Sequence, residues 1–331
     1  MRGASYEPPY LEPIAKIQCN NSLCFGCVSL DSKIYLIGGE VEDTNNPGVS
    51  IPSKDVYIFD MKSGSTEWKK GPSMRSGKSL PKVVALDGRI YAIGCTPSHG
   101  YIEDAPKPWA EVYNPITNSW TDLPEPPIEI LKDGWIDGHA VINNGNKILV
   151  SMYNGGGFTY DVKGMVWEKV ALKPLLERGS WYGRGAVVDD VMYSYYHGKV
   201  YGYDLSMNKW LESPVLHLEN IVAAAVTPDP LTPGYASPCF NAPKVTNTLH
   251  PDAVPSGFVV NIGKKKLGLL WCSYSSGAGQ RKVYCITFTP SKYCNAEGKI
   301  VVTGAADYMD YYRQYTQFIV EGQLFDDCFA M

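Results

Sequence analysis

Along this chain, short runs of Val, Ile and Tyr alternate with small clusters of Asp, Gly, Asn and Ser. Runs this short, bounded by turn residues, predict β-strands. One pair of runs reads Val28-Ser-Leu-Asp-Ser-Lys-Ile-Tyr-Leu-Ile-Gly-Gly39, and a second, Val83-Val-Ala-Leu-Asp-Gly-Arg-Ile-Tyr-Ala-Ile-Gly94, follows nearly the same template. The Asp at each break predicts a tight hairpin, because Asp, Asn and Gly tolerate the positive φ such turns need. Equivalent breaks fall at Asn143 to Asn146 and at Asp189-Asp190. A third run in each unit ends on an aromatic followed by Asp or Asn: Phe59-Asp60, Tyr113-Asn114, Tyr160-Asp161 and Tyr203-Asp204. A tryptophan then opens a fourth run at Trp68, Trp120, Trp167 and Trp210, a period of roughly fifty residues.

Each unit therefore predicts a four-stranded antiparallel sheet. One such sheet cannot bury both faces, whereas sheets stacked in a ring bury them and protect most edges. The landmark aromatics suit the gap between neighbouring sheets. A fifth, more divergent unit pairs Phe258–Gly263 with Leu267–Trp271 and Lys282–Thr289 with Lys299–Thr303. Leftover runs at 14–18, 317–320 and 323–325 predict a sixth blade built from both termini. The expected fold is all-β, a β-propeller of six four-stranded blades over 14–325, with an extended tail over 1–13 and a long Pro-rich loop over 218–256.

Composition changes this picture little. The 331 residues are 44% hydrophobic with a net charge of −4. No basic stripe marks a nucleic-acid partner; Lys264, Lys265 and Lys266 read as a hairpin tip. No run approaches the ~20 apolar residues that span a bilayer, and the first residues lack a signal-peptide pattern. The expected location is cytoplasmic or nuclear, where nine cysteines do not imply disulfides. Cys24-Phe-Gly-Cys27 has no second pair at zinc spacing and reads as part of an inner strand and the loop leading into it.

Ile34-Tyr-Leu-Ile-Gly-Gly39, Ile90-Tyr-Ala-Ile-Gly94, Gly71-Pro-Ser-Met-Arg75 and Ala110-Glu-Val-Tyr-Asn-Pro115 with Asn118-Ser-Trp120 resemble kelch repeats. They are most similar to those of plant F-box/kelch-repeat proteins, and the resemblance extends over about residues 25–305. It implies a kelch-type propeller acting as the substrate-receptor half of a ubiquitin-ligase-linked protein. In that family an N-terminal helical F-box docks onto the ligase scaffold. Here no helical period precedes the first hairpin, so the chain is not expected to recruit a ligase by itself.

Propeller topology sorts the loops. The turns joining strands one to two and three to four share one face, and the longer connections share the other. Recognition is expected at the long-loop face, where Arg75, Lys78, Trp135, Asp137, His139, Trp181, Tyr182 and Arg184 precede innermost strands. His99, His197 and Tyr274 add to it from strand two-to-three loops. Arg and aromatic groups are the composition of a recognition surface; the bland alternative is that some plug the channel or bond to backbone.

No nucleophile elbow, P-loop or dinucleotide fingerprint is present. Glu129, Asp133 and Asp137 recur at every fourth position before His139. This resembles the Glu-x3-Asp-x3-His iron triad of specifier kelch proteins, with Asp137 where His is expected. Glu129, Asp133 and His139 are thus candidate ligands for Fe2+. His139, Asp137 and Tyr182 are candidate acid–base groups. The leading expectation is a non-enzymatic module for a protein or peptide partner. The alternative is a small-molecule enzyme of plant specialised metabolism, an isomerase, a lyase or an iron-dependent specifier, working at the channel mouth.

Overall fold

The computed structural model describes residues 23–94, 107–127, 129–130, 136–142, 145–152, 155–172, 183–196, 199–218, 257–275 and 280–308. Its named elements are all strands, arranged as five consecutive antiparallel units. The first blade holds β1 (Leu23–Leu30), β2 (Lys33–Glu42), β3 (Ser50–Pro52), β4 (Val56–Asp60) and β5 (Lys69–Lys70). The second holds β6 (Lys82–Leu86), β7 (Arg89–Ile93), β8 (Ala110–Asn114) and β9 (Ser119–Asp122). The third holds β10 (Ile136–Ile142), β11 (Lys147–Met152), β12 (Gly157–Asp161) and β13 (Val166–Val170). The fourth holds β14 (Gly183–Val188), β15 (Val191–Tyr196), β16 (Lys199–Asp204) and β17 (Lys209–Trp210). The fifth holds β18 (Gly257–Gly263), β19 (Lys266–Ser275), β20 (Gln280–Cys294) and β21 (Ile300–Tyr308). The runs assigned to a sixth blade, the tail and most of the Pro-rich loop lie outside the described residues.

The core sits between blades. One apolar cluster joins Val28, Tyr35, Ile37 and Val56 of blade one to Val83, Ile90, Tyr113 and Trp120 of blade two. Corresponding clusters join blades two and three, three and four, and four and five. This is the ring-stacking solution to sheets that cannot cover themselves. The innermost strands approach closely: a Cβ on Gly26 of β1 would fall 2.2 Å from Val83 Cγ2 of β6. β10 and β14 pair in parallel, with His139 opposite Arg184.

The landmarks have local causes. Asp31, Asp87 and Asp189 take φ of 54°, 51° and 54° at their hairpin turns. Lys264 and Lys265, the expected tip, turn at 50° and 61°. Asp60, Asn114, Asp161 and Asp204 each accept from a backbone N–H two residues on, at 2.9–3.0 Å, and so cap the turn into the fourth strand. Each preceding aromatic packs on its blade's tryptophan, with centroids 4.9–5.4 Å apart, worth about 0.5–1.5 kcal/mol per pair beyond burial. Two tryptophans also reach the previous blade: Trp120 Nε1 donates to Pro72 O and Trp167 Nε1 to Pro124 O, both at 3.0 Å.

The connection from Gly39 to Lys54 is partly a hairpin. β2 runs on to Glu42 and pairs with β3, so Val41 faces Ile51. Its base is locked to the following linker. Gly39 N–H donates to Lys78 O, Lys78 N–H to Ser53 O, and Ser79 Oγ to Glu40 Oε1. Cys24 and Cys27 both fall on β1.

Candidate functional site

The innermost strands of all five described blades line a cavity of about 410 Å³ along the channel. Its lining includes Ser29, Ala85, His139, Arg184, Val187 and Asn261, and it reaches the hairpin turns at Gly145 and Asp189. The cavity thus belongs to the tight-turn half of the channel. The expectation was a site at the long-loop mouth. The difference has a simple cause: inner strands converge on the axis along their whole length, so chemistry on them need not emerge at the loops.

Arg184 sets the floor. Its Nη2 donates to Cys27 O of β1 and to Val83 O of β6, both at 3.0 Å. One side chain of blade four therefore ties blades one and two across the axis. Of the two readings offered for this residue, the structure shows the bond to backbone. Charge-assisted bonds of this kind contribute about 1.5–3 kcal/mol each. His139, its neighbour across the parallel pair, is buried. Burial, then the positive charges of Arg184 and Lys82, hold its imidazole well below the ordinary histidine value, so the ring is neutral at pH 7. Lys82 is also buried. Sequence reasoning missed it, although a signal existed: Lys82 stands five residues before Asp87 as Arg184 stands five before Asp189.

Two expected surface residues are placed differently. Lys78 is wholly buried rather than at the channel mouth. Its Nζ lies 3.1 Å from Glu111 Oε1 and donates to Ser76 Oγ and Pro108 O. Glu111, also wholly buried, accepts from the backbone N–H groups of Arg75 and Ser76. Arg75 lies away from the axis. Its Nε is 2.9 Å from Asp122 of the outermost strand β9, over a surface depression lined also by Lys107, Pro108, Leu123 and Glu125. The linker's direction is fixed by the Lys78–Glu111 pair, which turns Arg75 outward toward blade two.

Asp137 is buried at an irregularity in β10. Glu129 is exposed on a single turn, while His139 is buried. Among the described residues no three His, Cys, Asp or Glu side chains gather as metal ligands. Asp133, His99, Trp135, Trp181, Tyr182 and His197 lie outside the described residues, and Tyr274 is placed only as a position on β19. Among the described residues no helix is long and apolar enough to cross a membrane.

Repeated four-stranded sheets, Tyr-Asp turn caps and tryptophans that bridge blades define a kelch-type β-propeller. The chain belongs to the FKB95 kelch-repeats domain family, whose model matches residues 9–223. It is 30% identical over 190 residues to the F-box/kelch-repeat protein At4g39550 of Arabidopsis thaliana, covering 56% of this chain and 42% of that one. It is 29% identical over 194 residues to At4g39590 of the same plant, covering 57% and 46%. The chain thus matches less than half the length of these relatives. A solved structure, that of YjhT, aligns over 85% of this chain and 84% of its own at a TM-score of 0.51 and 14% identity, a likeness of fold alone. Fold and family together make this a kelch protein-interaction module.

Proposed function

We propose that the propeller recognises a protein or peptide partner through its long-loop face, as the substrate-receptor part of a ubiquitin-ligase-linked protein. The carrying observation is the elaboration of blade one. The β2–β3 hairpin holds Val49 and Ile51 exposed at 47% and 39%. Its base is bonded to the linker that carries Arg75. Exposed apolar side chains on a braced hairpin, and an exposed Arg on the linker that braces it, are residue types found in interfaces. The names of the F-box/kelch relatives support the ligase link.

The test is capture of partners from plant extract by the purified propeller, with Ile51→Asp and Arg75→Glu as variants. Both residues are exposed, so melting temperature should change little. Loss of one and the same captured protein in both variants is the expected result. Retention of every captured protein in both would move recognition off this face.

A further inference from the structure

We propose that the face of blade one turned away from blade two is a docking site for the chain's own residues 9–16, with the carbonyl of Pro13 accepting from the Trp68 indole. The docked segment belongs to the ring itself and not to the partner face.

Side chains alternate across a strand. On β2, Tyr35 and Ile37 pack toward blade two, so Ile34 and Leu36 point the other way. With Cys27 and Phe59 they form a cluster drawn from blade one alone, flanked by Trp68. The matching positions of blade two, Ile90, Ala92, Tyr113 and Trp120, pack against blade one. The blade-one cluster holds no residue of another described blade, yet Ile34, Leu36 and Phe59 are only 7%, 7% and 4% exposed. A single sheet cannot dry its own face to this degree, so chain outside the described residues covers it.

Trp68 identifies which chain. Trp120 Nε1 and Trp167 Nε1 donate to Pro72 O and Pro124 O, carbonyls on the linkers that lead into their own blades. Trp68 Nε1 is buried as well, and has no acceptor among the described residues. A buried indole N–H requires one. The acceptor prolines keep a steady distance from the next innermost strand. Pro72 stands ten residues before Lys82 of β6, and Pro124 twelve before Ile136 of β10. Pro13 stands ten before Leu23 of β1. Beside the two known acceptors, Met74 and Leu123 enter the clusters between blades; Leu11 and Ile14 flank Pro13 in the same way. The family model reaches back to residue 9, so this stretch is part of the repeat domain. Residues 14–18 then lead into β1 as a linker and do not form a blade strand.

Photo-crosslinking in the full chain tests this. Trp68→p-benzoylphenylalanine is expected to form adducts within residues 9–16, located by peptide mass spectrometry. Adducts confined to 309–331, or none within 9–16, overturn the assignment. A second measurement leaves Trp68 in place. Its indole N–H signal, assigned in NMR spectra with a Trp68→Phe variant, is expected to exchange with deuterium about tenfold faster or more in Leu11→Asp/Ile14→Asp, because charges on the segment undock it. The Trp120 and Trp167 indole signals should keep their protection, which shows that the variant retains its fold. Unchanged exchange at Trp68 overturns the proposal, as does equal acceleration at all three indoles. If the crosslinker at position 68 prevents folding, the exchange of the native indole decides.

Discussion

Removing one charge from the Lys78–Glu111 pair should unfold a large part of this protein's stability margin. Both side chains are fully excluded from water. At 3.1 Å and an effective dielectric near 20, the attraction is about 5 kcal/mol, most of it offset by the cost of desolvating two ions. Glu111→Gln keeps the shape and takes the carboxylate away from a buried ammonium that also donates to the neutral acceptors Ser76 Oγ and Pro108 O. The expected loss is about 3–5 kcal/mol, a large share of the ~5–15 kcal/mol that holds a domain together. Lys78→Met should cost a similar amount by stranding the carboxylate. In the double variant Lys78→Met/Glu111→Gln both charges of the pair are gone, and the Gln carbonyl can still accept from the Arg75 or Ser76 amide. Its loss should fall short of the summed single losses by at least about 2 kcal/mol. Urea unfolding, with midpoints compared at constant m, reads all three. Additive single losses, or a Glu111→Gln loss under about 1 kcal/mol, would refute the picture of a dry, mutually dependent pair.

Met165 sits at φ 53° with its side chain exposed, where blades two and four place Asn118 and Asn208 to accept from Tyr113 and Tyr203. Met165→Asn should therefore raise stability by about 0.5–1.5 kcal/mol, read as a higher unfolding midpoint. Lys292 of β20 bridges to Asp204 and Asp190 at 2.7 Å. Burial raises the Asp204 carboxyl, but the bonds from Lys292, Ser206 and the Met207 amide outweigh it and the net shift is downward. Its contribution is thus present above the unfolded value near ~4 and lost as pH falls through the lower folded value; Lys292→Met should flatten that acid limb between pH 5 and 2. Arg184→Met should cost about 2–4 kcal/mol and speed hydrogen exchange in β1 and β6, while leaving β20 and β21 unchanged.

What the sequence disclosed was local. Hairpin turns, Tyr-Asp caps and tryptophans are set by residues a few positions apart, so they appear in one strand's worth of chain. Where loop side chains end up was not legible, because their partners come from the next blade. Lys78 reads as a surface lysine until Glu111 is placed beside it. Yet Glu111 itself was a clue: it occupies the third-strand position held by Tyr57, Phe158 and Tyr201 in blades one, three and four. A carboxylate where its counterparts are aromatic demands a charged partner. Lys82 was hidden for the opposite reason, since a lysine at a strand's start looks ordinary unless the blades are aligned on their turns.

The two ends of the channel answer to different constraints. At the tight-turn end four of the five described blades join their first two strands by a two-residue turn. The inner strands' backbone edges face the axis with polar groups that need partners, and Arg184 supplies two of them for blades one and two. A residue that crosses the axis to do this also walls off the space beyond it, so the cavity follows from the closing of the inner strands rather than from any added loop. At the other end, the β2–β3 hairpin extends beyond the pairing of β1 with β2, which ends at Leu23 and Glu40, and its base is tied to the following linker. Changes there alter what the surface presents while the blades keep their packing. Substitutions on the hairpin and substitutions on the inner strands should therefore be separable in their effects on stability.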